Sequence, residues 1–392
     1  MRQKWLIASL FSLASLLAQN ESDEQALVRL TNQGISFSQD SSFLLNLRFR
    51  MQNRFGYLSQ LDDTTAPGFD IRVRRLRVRL DGFILTPRLS YYIQLSFSAA
   101  DQDFVEGFAL NIVRDAMIYY TISRSFYLGF GQGKLPGNRQ RVISSGNLQM
   151  PERSYASQFY TLDRDVGVFL YGILEAGKQQ IRIKAALTGG EGRLSDLPNT
   201  ALAYTGRIEY LPFGTFQNTG DYSEGDLEYE LEPRLSLGLS YCMNQDAQRV
   251  GGQLGRPLNF PADIQTLIVD GVFKYRGWAL SGEAFWRHVQ SEHPTDPSIQ
   301  SIYTGYAWNV QFSKVFWRRH EICLRYTEVN PLPSFHFLQA KWRSKGVGYS
   351  YYIKGHRVKA QLYGGLDDRS ATRGAHSLRN RVSVIFQMEF GI

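Results

Sequence analysis

Between residues 69 and 98 the chain alternates apolar and polar positions with a period of two, the mark of a strand with one greasy and one wet face. Leu89, Tyr91, Ile93, Leu95 and Phe97 alternate with Ser90, Tyr92, Gln94, Ser96 and Ser98. Upstream, Phe69, Ile71 and Val73 alternate with Asp70, Arg72 and Arg74; the phase then slips, and Leu76, Val78 and Leu80 alternate with Arg75, Arg77, Arg79 and Asp81. A β-bulge at the Arg74-Arg75 step restores one wet face, and Thr86-Pro87-Arg88 is the predicted turn between the two strands. Phe43, Leu45, Leu47, Phe49 and Met51 oppose Asn46, Arg48, Arg50, Gln52 and Arg54 in the same way.

The pattern recurs along the chain at 116–122, 126–130, 165–173, 179–187, 203–210, 234–242, 265–275, 277–287, 303–313, 319–328, 345–353, 356–364 and 380–392. This predicts an all-β fold, a transmembrane antiparallel β-barrel of about 16 strands, an even number as closure with both chain ends on one side requires. Short connections (123–125, 174–178, 276, 314–318, 354–355) alternate with long ones near Gly190, Gly251, Pro294, Pro331 and Arg373, and the longest insertion runs over 135–164. That asymmetry is expected of short periplasmic turns and long outer loops. The connection 211–233 breaks the rule. By parity it belongs with the short turns, yet it is long and carries Glu224, Asp226, Glu228, Glu230 and Glu232. It reads either as an acidic excursion without fixed structure or as a strand miscount.

Composition narrows the picture. A length of 392 residues could supply two or three domains, but 25 Phe, 22 Tyr and 35 Gly with continuous alternation suit one barrel with aromatic girdles. Arg2 and Lys4 precede an apolar stretch, 5–17, and Ala18, so 1–18 reads as a signal peptide, 19–40 as a short periplasmic segment and 41–392 as the barrel. Two cysteines, Cys242 and Cys323, fall on strands several places apart and are expected to be unpaired. The net charge of +8 is compatible with nucleic acid, anionic lipid or an anionic solute; export and alternation argue against nucleic acid.

The cations share the wet faces. Arg48, Arg50 and Arg54 lie on one strand, Arg75, Arg77 and Arg79 on the next, followed by Arg182 with Lys184, Arg207, and Arg357 with Lys359. On the lipid side each would cost about 2–4 kcal/mol at mid-membrane, so the ladder points into the lumen. Lumenal arginines favour anions, and the guanidinium fork matches phosphate oxygens. For a single arginine the alternative is pairing with Asp81, Asp165, Glu209, Glu283 or Glu321 to brace the wall. The chain has no GxSxG, HExxH or CxxC motif, and its six histidines lack ligand spacing, so neither catalysis nor a metal or cofactor is expected.

Gly131-Gln132-Gly133-Lys134-Leu135-Pro136, then Arg141-Val142-Ile143-Ser144-Ser145, Pro151-Glu152-Arg153-Ser154 and Asp163-Arg164-Asp165-Val166-Gly167-Val168 resemble the phosphate-selective porin O and P family. Arg74-Arg75-Leu76-Arg77, Tyr91-Tyr92-Ile93-Gln94, the 206–214 stretch and the 351–359 stretch extend the resemblance over most of the chain. The resemblance implies an outer-membrane barrel embedded in lipid, a homotrimer, and a third outer loop that folds inward to narrow the pore. It also implies an anion site at Arg141, Ser144, Ser145 and Arg153, with Lys134 at the loop entry. Arg141 stands where the phosphate-binding members carry lysine. The expected function is a passive channel for phosphate or another small oxyanion. The alternative is a plugged barrel that serves as a structural subunit among other envelope proteins.

Overall fold

The computed structural model describes residues 27–31, 34–39, 41–60, 67–101, 112–193, 201–332, 339–371 and 380–392. The signal peptide expected at 1–18 lies outside the described residues. Among the described residues there are eighteen strands: β1 (Leu27–Thr31), β2 (Gly34–Gln39), β3 (Phe43–Gln60), β4 (Gly68–Ile84), β5 (Thr86–Ser96), β6 (Val113–Ser123), β7 (Phe126–Lys134), β8 (Arg164–Ala176) and β9 (Gln179–Thr188). There follow β10 (Ala203–Leu211), β11 (Arg234–Arg249), β12 (Pro257–Tyr275), β13 (Trp278–Gln290), β14 (Gly305–Phe316), β15 (His320–Pro331), β16 (Ala340–Lys354), β17 (Val358–Ala371) and β18 (Arg381–Gly391).

Strands β3 to β18 pair antiparallel with their sequence neighbours, and β18 closes on β3 from Arg381 opposite Gln60 to Gly391 opposite Arg50. The result is a closed sixteen-strand barrel. Its faces invert the usual order of a water-soluble protein: on β18, Val384, Phe386, Met388 and Phe390 are exposed on the outside while Ser383, Gln387 and Glu389 are buried inside. An apolar outer belt and a polar lumen are what lipid outside and a polar interior demand. Cys242 on β11 and Cys323 on β15 are both free.

Two local features differ from the sequence expectation. Within the predicted polar segment, β1 pairs antiparallel with β2, and β2 pairs with Phe43–Leu47 of β3. β18 stops short of that part of β3, so β2 occupies the edge it leaves open. The turn after β4 lies at Leu85, in the left-handed region at φ 65°, one residue before the predicted Thr86-Pro87-Arg88. Pro87 sits where the β4–β5 ladder is interrupted between Phe83 and Ile84, so its missing N–H leaves no ladder bond unmade.

The predicted bulge is present. Gln52 of β3 faces Arg75 and Asn53 faces Val73, which leaves Arg74 as the inserted residue of β4.

The 212–233 connection is neither without structure nor a miscount. It joins β10 to β11 at the short-turn end, contains a 3-10 segment (Gln217–Tyr222), and buries Asp221, Glu224, Asp226 and Glu230. Lys274 Nζ of β12 donates to the Gly220 carbonyl at 2.7 Å, and Gly277 N donates to Asp226 Oδ2 at 2.6 Å. These bonds draw the acidic residues against the lumenal wall.

Candidate functional site

The strand register puts like charges face to face. Arg48 stands opposite Arg79, Arg50 opposite Arg77, and Arg54 opposite Arg72 across the β3–β4 ladder. Directly opposed like charges destabilise a sheet by some tenths of a kcal/mol per pair, roughly 0.2–1, unless something negative lies between them. The wall therefore has a standing requirement for anions or hydrogen-bond acceptors.

The 135–163 connection between β7 and β8 supplies several. It holds two short helices, α1 (Arg139–Val142) and α2 (Tyr155–Tyr160). Arg50 Nη1 donates to Ser144 Oγ and Nη2 to Ser145 Oγ, both at 3.0 Å, and Arg77 Nη1 donates to Ser145 Oγ at 3.0 Å. Each serine that accepts from a guanidinium keeps its own proton to donate. Arg77 also donates from Nε to Asp101 at 2.8 Å, and Asp81 lies 2.8 Å from Arg79 and 3.5 Å from Arg48. Glu152 accepts from Arg54, Arg74 and Arg75.

The connection is tied to other walls as well. Lys359 of β17 donates to the Gly146 and Leu148 carbonyls, and Gln149 Nε2 donates to Glu321 of β15 at 2.6 Å. Glu283 of β13 accepts from Gln140 N. From the short-turn end, Glu224 accepts from Gln140 Nε2 and from Gln149 N, both at 2.8 Å, so the 212–233 segment meets the 135–163 connection.

Between this assembly and the β3–β4 wall lies a cavity of about 1060 Å³. Arginine and lysine outnumber aspartate and glutamate in its lining by sixteen to four, which makes the cavity positive. Arg48, Arg50, Arg54, Arg75, Arg77, Arg79, Lys134, Arg141, Ser144, Ser145 and Arg153 all lie on it. Within that set the roles differ. Lys134 Nζ donates to the Val142 carbonyl at 2.9 Å, Arg153 donates to the Gln140 and Ile143 carbonyls, and Arg141 is paired with Asp163. Those three brace the connection; Arg50, Arg77 and the two serines form one continuous cluster.

Arg182, Lys184 and Arg207 do not lie on the cavity, which corrects the expectation that they join the ladder. Arg207 is fully buried, bidentate to Asp270 at 2.6 and 2.9 Å, and 2.7 Å from Glu209. Arg182 pairs with Asp221 at 2.5 Å and Lys184 with Glu209 at 3.0 Å. Arg139 adds a 2.9 Å bond to Asp270 and closes this second cluster. Of the distal pair, Arg357 lines the cavity while Lys359 is turned to the loop carbonyls. Sequence reasoning missed Arg114, Arg164, Arg325 and Arg381, which also line the cavity, and the bridging role of Glu152. Glu152 was visible in the Pro151-Glu152-Arg153-Ser154 motif, but irregular backbone gives no period from which to read where a side chain points.

No group of three or more histidine, cysteine, aspartate or glutamate residues with metal-binding geometry occurs among the described residues. A closed sixteen-strand barrel with an apolar belt, a charged lumen and a positive internal cavity is an outer-membrane porin. The model of the phosphate-selective porin O and P family matches residues 45–390, and the chain belongs to that family. It is accordingly a channel protein of the bacterial outer membrane, not an enzyme.

Solved structures share the fold. An anion-selective porin from Comamonas acidovorans is 11% identical, with 89% of this chain and 99% of that one covered and a TM-score of 0.59. The outer-membrane channel DcaP of Acinetobacter baumannii is 13% identical over 90% of this chain and 99% of that one, with a TM-score of 0.56. OmpF of Salmonella typhi, solved with daunomycin, is 10% identical over 91% and 100%, with a TM-score of 0.55. No curated protein matches the chain.

Proposed function

We propose that the barrel is a passive, anion-favouring pore for phosphate or another small oxyanion, working as a homotrimer in outer-membrane lipid. The observation that carries this reading is the opposed-arginine wall of β3 and β4 facing the positive cavity. Passage runs along that wall, the 135–163 connection is the inward loop that narrows it, and the cluster of Arg50, Arg77, Ser144 and Ser145 is the anion site. Two guanidiniums supply charge and fork geometry; the Ser145 hydroxyl bridges them and the Ser144 hydroxyl accepts from Arg50, neither adding negative charge. A dianion entering there is attracted by both arginines and receives serine protons. The contacts are few enough for it to leave, as conduction requires.

A second reading is favoured by the hydrogen bonds that join the 135–163 and 212–233 segments: a plugged barrel retained as a structural partner of other envelope proteins. One experiment separates the two. Purified protein in a planar bilayer should carry chloride current that added phosphate blocks. Current indifferent to phosphate removes the named solute, and absence of current from folded protein selects the plugged barrel.

A further inference from the structure

The carboxylate of Glu152 is placed as a solute anion would be. Its Oε1 accepts from Arg54 Nη2 at 2.6 Å and from Arg74 Nε, and its Oε2 accepts from Arg75 Nη2 at 3.1 Å and Arg74 Nη2 at 3.2 Å. Arg74 thus grips both oxygens through the fork that guanidinium also presents to phosphate. Three guanidiniums converge on this one carboxylate; Asp70 lies 3.6 Å from Arg54 and Asp101 3.6 Å from Arg74, but Asp70 is shared with Arg72 and Asp101 with Arg77 and Arg114, so cations remain in excess. This is an excess that an oxyanion with more oxygens and more charge satisfies better.

We propose that Glu152 is a tethered anion that occupies the Arg54, Arg74 and Arg75 cluster between transits and competes with the solute, so that it sets how weakly the pore holds an oxyanion. The inference rests on the proposed anion pore and adds a specificity-determining residue to it. Access supports exchange: the Glu152 side chain is 28% exposed and lines the cavity, whereas Arg54 and Arg75 are each only 3% exposed and stay fixed behind it. Nor is the carboxylate needed to hold its own backbone in place. Arg325 Nη1 donates to the Glu152 carbonyl at 2.8 Å, Arg54 Nη2 to the Pro151 carbonyl at 3.4 Å, and Ser144 and Ser145 fasten the same connection to Arg50 and Arg77. Burial alone would raise the Glu152 pKa, but Arg75, Arg74 and Arg54 together hold it well below the usual carboxylate range, so the competitor is charged throughout the neutral region.

A competitor and a brace predict effects of opposite sign. Removing a competitor tightens solute binding; removing a brace loosens the connection and weakens it. The test compares wild type, Glu152→Gln and Glu152→Asp in planar bilayers, reading reversal potential in a KCl gradient and the inorganic phosphate concentration that halves the chloride current. Heat-modifiable mobility on gels verifies that each barrel is folded. The expected result is that Glu152→Gln is blocked at phosphate concentrations at least about tenfold lower, with longer blocked intervals, which corresponds to about 1.4 kcal/mol. Glu152→Asp, which keeps the charge, should stay near wild type. Equal or weaker block in Glu152→Gln overturns the inference. A wild-type reversal potential on the cation side overturns the underlying anion-pore reading instead, so the two failures are distinguishable.

Discussion

The lumen has two basic walls with opposite fates. On β3 and β4, arginines face arginines across the ladder, and their partners are neutral serine hydroxyls and a few shared carboxylates, Asp70, Asp81, Asp101 and the partly exposed Glu152. On β9 to β12, Arg182, Lys184 and Arg207 are matched by Asp221, Glu209 and Asp270 and sealed beneath Arg139 and the 212–233 segment. The number of cations does not separate the two walls. The balance of acids does: Asp221, Glu209 and Asp270 match Arg182, Lys184 and Arg207, while on β3 and β4 Asp70 and Asp81 are each shared between two arginines and leave the wall net positive. The same residue type is thus bracing on one side and, in the proposed function, solute-facing on the other.

Charge reversal should separate the walls most strongly. Arg77→Glu with Arg79→Glu should abolish or invert anion preference in reversal-potential measurements, with the barrel still folded. Arg182→Gln with Lys184→Gln should leave the reversal potential where it is in wild type. If both pairs of changes have equal effects, the distinction between the walls is lost.

Stability should answer the other way round. Arg207→Ala leaves Glu209 and Asp270 short of a buried partner, which should cost about 3–5 kcal/mol in urea unfolding, while the folded fraction keeps its selectivity. Glu224→Ala removes the acceptor for Gln140 Nε2 and Gln149 N, a loss of about 1–3 kcal/mol. The local readout is faster hydrogen exchange over 139–150 and noisier open-channel current.

The smallest expected effect is at the outer rim. Burial lifts Glu191, in the loop after β9, from 4.5 to about 7. The folded chain therefore holds more protons than the unfolded chain between those values, and this group's contribution to stability falls as pH rises through that window. Protection factors over 189–193, taken relative to the intrinsic exchange rate at each pH, should be lower at about pH 8 than at about pH 5.5, with selectivity unchanged. Protection that does not change with pH would mean that burial does not lift Glu191.

How much of this was legible in the sequence follows from where period two operates. The sixteen barrel strands, the bulge at Arg74 and the wet-face position of Arg48, Arg50, Arg75, Arg77 and Arg79 all follow from alternation, because lipid on one side makes a one-residue slip costly. The fate of Arg207 was legible only in part: Glu209 was among the acids expected to brace an arginine, and it does pair with Arg207. Its partner Asp270 lies two strands away, and only the closed register brings them together. The 212–233 segment was conspicuous by charge, but its lumenal course depends on Lys274 and Gln140, which no local pattern links to it. The β1–β2 pair escaped because its sequence is mixed and its place depends on where β18 ends.

The central claim is that passage follows the opposed-arginine wall, and the most direct test is the zero-current potential of the wild-type channel in a KCl gradient. A potential close to the chloride equilibrium value is the predicted result. A potential at the potassium value, or one showing no preference, would mean that ions do not pass along β3 and β4.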